Sequence, residues 1–181
     1  MDMYKVKWTQ LQSEIFRILC IRAGTSLNLR GIAKMTKKTP TAISNVLPEL
    51  KEQKFINVER SKGINLLSIE LNRENPQTIS LKRVENLKLI YESGLADYLR
   101  ENLPGCTIIL FGSYSKGEDT TQSDIDLAII GTKEKEMDLI KFDKLLERKV
   151  ILNFYDSFKS VHKHLKDNIL NGILLHGGID L

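Results

Sequence analysis

Apolar residues in the first third of the chain recur every three or four positions. This spacing puts them on one face of a helix, and it predicts helices over residues 8–23, 29–35 and 40–53. Thr39 and Pro40 match an N-cap and a first helical position, whereas Pro48 lies inside the third helix and should kink it. Two β-like segments follow, at residues 55–59 and 64–71. The predicted order is therefore three helices and then a β-hairpin.

A polar, proline-containing stretch, residues 72–77, separates this hairpin from the rest of the chain. Such a stretch is typical of a linker, because it offers little apolar surface to bury. It predicts a boundary between two domains, residues 1–75 and residues 76–181.

The second domain opens with a long helical pattern from residue 78 to residue 100. Its apolar positions include Leu81 and Val84, and Gly94 is expected to break or bend the helix. Strand-like segments then alternate with helical ones, which indicates an α/β organisation. The strands are predicted at residues 107–111, 124–130, 150–155 and 172–177.

One segment of this domain combines groups that bind phosphate with groups that bind metal. Gly112 and Ser113 follow the first predicted strand, and ten residues separate them from Asp124 and Asp126 in the next one. Glycine lets the backbone approach a phosphate closely, and serine at a helix start adds a hydroxyl and exposed N–H groups. Alternate residues of a strand share a face, so the two carboxylates repel each other unless a cation lies between them. Hard oxygen ligands beside a phosphate suit Mg²⁺.

These residues resemble the nucleotidyltransferase family of the DNA polymerase β superfamily, in particular its minimal members. The resemblance extends over about residues 95–156. It implies a mixed sheet, ATP or another nucleoside triphosphate as substrate, and two Mg²⁺ ions. It also implies that Gly112 and Ser113 hold the triphosphate and that Asp124 and Asp126 are catalytic metal ligands.

Lys116 lies where this family often has a basic residue near the triphosphate. The resemblance therefore implies a nucleotide-binding role for it. The alternative is a solvated surface lysine.

The family usually places a third carboxylate on a later strand. The corresponding segment here, residues 149–156, has Asn153 at its middle. An amide can ligate a metal through its oxygen but cannot act as a base. Asp156 is the candidate third catalytic ligand or base, although a strand period of two separates it from the face of Asn153. Transfer and nucleotide binding without turnover are both open.

The order, lengths and apolar pattern of residues 8–71 resemble winged-helix transcription regulators. In such modules the third helix enters the major groove, the preceding lysines hold phosphates, and the wing reaches the backbone or the minor groove. The resemblance implies DNA contacts by Lys37, Lys38, Thr41, Ser44, Asn45, Arg60 and Lys62. The alternative is a protein-binding winged helix with a solvated polar face. The expected fold class is thus α+β, a winged helix followed by a nucleotidyltransferase-like α/β domain.

Charge favours a polyanionic partner for the first domain alone. The whole chain carries a net charge of +4. Residues 1–80 contain 13 Lys/Arg and 7 Asp/Glu, whereas residues 81–181 contain 14 and 16. The basic excess therefore lies in the winged-helix pattern, which is consistent with DNA as its partner.

Composition disfavours several other classes of protein. No apolar run approaches the length that spans a bilayer, and the first residues form no apolar signal segment, so no membrane partner is expected. Cys20 and Cys106 lie in apolar stretches and form no disulfide framework. The three histidines have no cysteine nearby and are not spaced as a zinc site. We expect a cytoplasmic protein.

Two functions of different classes follow. The first is transfer of a nucleoside monophosphate from a nucleoside triphosphate, with two Mg²⁺ ions, by a chain that also carries a DNA-binding module. Its acceptor is open among a nucleic-acid end, a partner protein and a small hydroxyl compound. The second is a DNA-binding transcriptional regulator whose degenerate nucleotidyltransferase domain senses a nucleotide or a partner without turnover. A homodimer is expected, because such modules often pair to read two half-sites.

Overall fold

The computed structural model describes residues 7–60 and 67–179, which form two compact units that divide between Ile79 and Ser80. The N-terminal unit has the predicted order of three helices and a hairpin. Its elements are α1 (Gln10–Ile21), α2 (Leu29–Thr36), α3 (Pro40–Glu52), β1 (Ile56–Arg60) and β2 (Leu67–Leu71).

Local sequence explains how the helices of this unit begin. Thr39 Oγ1 accepts a hydrogen bond from the backbone N–H of Ala42 at 3.2 Å, and Pro40 is the first residue of α3. The predicted N-cap and proline start are therefore confirmed. α3 continues past Pro48 to Glu52.

The core of the N-terminal unit lies between the helices and the hairpin. Trp8 packs on Phe16 and Phe55, with ring centroids 4.7 Å and 5.0 Å away. Strands β1 and β2 are antiparallel, and Leu27 extends their sheet through two backbone hydrogen bonds of 2.8 Å to Ile69. The helices bury most of the apolar positions that the periodicity predicted, among them Ile15, Leu19, Ile32, Ile43, Leu47 and Leu50.

The described part of the C-terminal unit contains a four-stranded sheet and five helices, together with a short 3₁₀ helix at Phe158–Ser160. Gly94, with a φ of +75°, separates the first two helices where the sequence predicted a break. The elements are α4 (Pro76–Glu92), α5 (Leu95–Asn102), β3 (Thr107–Phe111), α6 (Gly112–Lys116), β4 (Ile125–Ile130), α7 (Ile140–Leu146), β5 (Val150–Tyr155), α8 (Lys163–Leu170) and β6 (Ile173–His176).

The strand order of the sheet is β5-β4-β3-β6. β3 is antiparallel to both β4 and β6, whereas β4 and β5 are parallel. The sheet is therefore mixed, and the predicted α+β fold class is confirmed.

Each face of the sheet packs on a different set of helices. Leu127 and Ile129 belong to the face that packs against α5, α7 and the end of α4. Ala128 and Ile130 belong to the other face, which packs against Phe158 and residues in and before α8. Because side chains alternate along β4, Asp126 lies on this second face.

The apolar pattern predicted for α4 is wrong in part. Val84 is 61% exposed, whereas Lys82 and Asn86 are buried. Polar residues four apart therefore occupy the buried face of this helix, and pattern reasoning assigns such residues to solvent.

No helix within the described residues is both long enough and apolar enough to cross a membrane.

Candidate functional site

Strand pairing brings Gly112 against Asp126. Phe111 is the last residue of β3, and it pairs with Asp126 of the antiparallel β4. The next residue, Gly112, has a φ of +75°, and a Cβ there would lie 2.7 Å from Asp126 Oδ2. This position therefore requires glycine for its backbone conformation and also for the space that the carboxylate occupies.

Ser113 and Lys116 lie on the single helical turn that follows. α6 begins at Gly112, directly after β3, and ends at Lys116; its C-cap, Gly117, has a left-handed conformation. Ser113 is partly exposed at the start of the helix, and Lys116 is exposed at its end. Both side chains are thus accessible to a ligand.

A tight turn immediately precedes Asp124, the first of the two carboxylates. The N–H of Thr120 donates to Ser123 Oγ and the N–H of Ser123 donates to the Thr120 carbonyl, each at 3.0 Å. Asp124 follows this turn and is exposed, and Ile125 then begins β4. Asp124 therefore stands at the end of the sheet where Gly112 also lies.

The two carboxylates influence each other electrostatically. Partial burial raises the pKa of Asp126, and the negative charge of Asp124 raises it further. A divalent cation would relieve both effects, and carboxylate oxygens are ligands that suit Mg²⁺. The pair therefore fits a magnesium ion. Within the described ranges no group of three His, Cys, Asp or Glu side chains is arranged to hold a metal ion.

The register of β5 brings no carboxylate to this pair. Ile151 is level with Asp126, and Asn153 is level with Ala128. Asn153 Nδ2 lies 3.4 Å from the Leu127 carbonyl of the neighbouring strand. The residue of β5 beside the carboxylate pair is thus apolar.

Asp156 lies beyond the other end of β5. It follows Tyr155, the last residue of the strand, and is five residues past Ile151. At about 3.3 Å per residue, this separates it from the level of Asp126 by roughly 16 Å. The structure therefore does not bring Asp156 to the carboxylate pair, because the parallel register fixes the two at opposite ends of the strands.

A cavity of about 600 Å³ lies at that opposite end. Asn153, Tyr155 and Asp156 line it together with Lys133 and Glu134. Burial raises the pKa of the Tyr155 phenol, so this group stays protonated above its usual range.

In the N-terminal unit, Thr41, Ser44 and Asn45 are exposed on α3. Residues three and four apart share a helix face, so the three side chains form one polar surface. Lys37 and Lys38 are exposed in the turn before the helix. Arg60 is exposed at the end of β1, and Lys62 lies outside the described residues.

A cleft of about 460 Å³ brings some of these residues together. Ser44 and Arg60 line it with Arg30, which the sequence reasoning missed. Arg30 is the second residue of α2 and is exposed. The sequence did show Arg30 in the first turn of α2, the helix before α3, which could have marked it as a candidate DNA contact. Its nearness to Arg60, however, depends on how the hairpin packs.

The C-terminal unit matches a known family. Residues 92–176 match the family described as nucleotidyltransferase domain. The match includes Gly112, Ser113, Asp124 and Asp126 and extends over slightly less than half of the chain. It excludes all but the last residue of α4.

Similar solved structures include the zinc-responsive MarR family member ZitR of Lactococcus lactis. That structure is 24% identical over 54% of this chain and 67% of its own, with a TM-score of 0.39. A single-site mutant of the same protein is 19% identical over 56% and 66%, with a TM-score of 0.40. Such scores are too low to establish a common fold, so the N-terminal architecture rests on the chain's own helices and hairpin. Among curated proteins, no relative matches the chain.

Proposed function

We propose that the C-terminal unit binds a nucleoside triphosphate with Mg²⁺ and transfers its nucleoside monophosphate to an acceptor, while the N-terminal unit binds DNA. The observation that carries the proposal is that the Asp126 carboxylate fills the space beside Gly112 where a Cβ would lie, within a segment that matches the nucleotidyltransferase domain family. ATP is the first nucleotide to test. The acceptor is a nucleic-acid end, a partner protein or a small hydroxyl compound.

Each residue of the proposed site has a role that follows from its chemistry. Gly112 leaves room for the Asp126 carboxylate beside the stretch of backbone that would meet the triphosphate, and the Ser113 hydroxyl would donate a hydrogen bond to a phosphate oxygen. Lys116 supplies positive charge on the same helical turn. Asp124 and Asp126 would hold Mg²⁺, which when bound aligns the α-phosphate and neutralises the pyrophosphate that leaves.

DNA binding is proposed for the exposed face of α3 and the basic groups around it. Thr41, Ser44 and Asn45 would contact base edges. Phosphate contacts would come from Lys37, Lys38, Arg30, Arg60 and Lys62. We further propose that two copies of the chain pair to read two half-sites, which sedimentation of the chain with and without DNA would test.

The second candidate function is a DNA-binding regulator that senses a nucleotide without turning it over. A specific observation favours it: β5 presents Ile151, not a carboxylate, level with Asp126. With no acidic group there, the acceptor hydroxyl lacks a base of the usual kind. On this hypothesis the chain binds nucleotide and transfers little of it.

One assay tests the first function. The chain is incubated with Mg²⁺, ATP labelled at the α-phosphate and candidate acceptors, beside the double variant Asp124→Asn, Asp126→Asn. We expect label transfer that the double variant abolishes. Transfer that persists in the variant would refute the assigned site.

A second pair of measurements separates the two candidates. Nucleotide binding without label transfer, together with a salt-dependent shift of duplex DNA in a gel, would favour the regulator. In that case Ile151→Asp, which puts a carboxylate level with Asp126, should create or raise transfer. Robust transfer with no affinity for DNA at low salt would exclude the regulator.

A further inference from the structure

A buried ionic cluster lies under the candidate nucleotide site. It joins Lys82 of α4, Asp119 of the loop between α6 and β4, and Arg148 just before β5, which are 0%, 1% and 6% exposed. Lys82 Nζ donates to Asp119 Oδ1, and an Arg148 guanidinium nitrogen lies 3.5 Å from Asp119 Oδ2. Burying ionised groups is costly unless they are paired, so this cluster fixes the three segments in one geometry.

Asn86, one helical turn after Lys82, extends the cluster to α6. Its Nδ2 donates to Asp119 Oδ1 at 2.6 Å and to the backbone carbonyl of Tyr114 at 2.9 Å. Lys82 Nζ also lies 5.9 Å from the centroid of the Tyr114 ring. Two side chains of α4 therefore hold the helix that starts at Gly112 and also the loop that leads to Asp124.

α6 depends on such support because it cannot form alone. It has five residues, and a single turn lacks enough hydrogen bonds to offset the cost of nucleation. Its N-cap, Phe111, makes no side-chain capping bond. Tertiary contacts must therefore set the orientation of Gly112 and Ser113.

We propose that Lys82, Asn86 and Asp119 are positioning residues for the nucleotide site. They act through α6 and the loop before Asp124 and do not themselves touch the nucleotide. This inference rests on the proposed function. It places part of the site's support on α4, at positions that precede the segment matching the nucleotidyltransferase domain.

The test compares Lys82→Met and Asn86→Leu with a control on the same helix, Lys88→Met. Lys88 is about half exposed and pairs with Glu92 at 3.6 Å, so its removal disturbs only the surface. Two quantities are measured on each full-length variant: hydrogen exchange of the amides in residues 112–124, and affinity for MgATP.

We expect Asn86→Leu to weaken MgATP binding on the order of tenfold and to speed exchange in residues 112–124 by a similar factor, because it loses two buried hydrogen bonds. Lys82→Met leaves Asp119 charged and buried, so it should show the larger loss in both quantities. The control should change neither quantity. If Lys82→Met does not fold, Asn86→Leu decides, since it leaves the ion pair in place.

Three results would overturn the inference. One is unchanged MgATP affinity in the cluster variants when the natural chain binds MgATP. Another is exchange that Asn86→Leu accelerates equally throughout the C-terminal unit, because the hydrogen bonds of Asn86 would then support only the fold. The third is unchanged exchange of residues 112–124 in the cluster variants. If the natural chain binds no MgATP, the proposed function fails, and this exchange measurement alone tests the inference. Faster local exchange would then still support the positioning role.

Discussion

Replacing Gly112 with alanine should abolish nucleotide binding. The same substitution at Gly94 serves as a control for the effect of backbone strain. Gly112 and Gly94 both have a φ of +75°. A Cβ at Gly94 would meet no atom within 4 Å, whereas a Cβ at Gly112 would lie 2.7 Å from Asp126 Oδ2. Gly94→Ala and Gly112→Ala thus share the strain, and only the second displaces the carboxylate.

The expected magnitudes follow from this geometry. A left-handed backbone costs an L-residue about 1–2 kcal/mol, so both variants should lose that much free energy of unfolding. The added clash is relieved cheaply, because Asp126 Cγ and Cβ are at 3.5 Å and 3.6 Å and only the carboxylate oxygen must move. Stability should therefore be similar in the two variants, although one of them has lost the geometry of its metal ligand.

Urea unfolding with and without MgATP measures both effects. A ligand present at a hundred times its dissociation constant stabilises the folded state by about 2.7 kcal/mol. Gly94→Ala should keep this increment, and Gly112→Ala should lose most of it. The reasoning is refuted if Gly112→Ala retains the full increment, or if Gly94→Ala loses it.

Three further predictions concern other groups. The pKa of Asp126 is raised in the folded state, so its contribution to stability is present at low pH and is lost as pH rises through that pKa. Asp126→Asn should therefore raise the melting temperature at pH 7 without Mg²⁺, and an unchanged melting temperature would contradict this expectation. In the natural chain, Mg²⁺ affinity should fall as the pH drops through the raised pKa of Asp126. Lys82→Met breaks a buried ion pair and should lower the free energy of unfolding by about 3–5 kcal/mol. The surface substitution Lys88→Met should lower it by less than about 1 kcal/mol. Equal losses in urea unfolding would refute the contrast. Arg30→Ala and Arg60→Ala should each weaken binding to all DNA sequences alike and reduce the salt slope by about one in anisotropy titrations, whereas a change of preferred sequence would exclude phosphate contacts.

Local pattern was sufficient for most elements of the fold. The three helices of the first unit, the start of α3 at Thr39 and Pro40, and the break at Gly94 all depend on residues close together in the sequence. Strand β5 has the predicted bounds, Val150–Tyr155. Spacing and capping chemistry determine such features before any packing occurs.

Pattern failed where polar residues are buried. Lys82 and Asn86 are polar, so periodicity assigns them to solvent, but they face Asp119 across a sequence separation of more than thirty residues. Only the packing of α4 beside the loop after α6 makes their burial favourable, since each needs a partner to offset desolvation.

The sequence by itself determined that a glycine-serine pair follows one strand and that two aspartates stand at the start of the next, because the motif and its flanking apolar runs are local. Tertiary structure alone decided what stands beside them. The pairing of Phe111 with Asp126 places Gly112 against the carboxylate, and the parallel register of β5 sets Ile151 at that level and carries Asp156 to the far end. Register is a property of two strands at once, and a shift of one residue exchanges every side chain between faces, so no single segment of sequence encodes it.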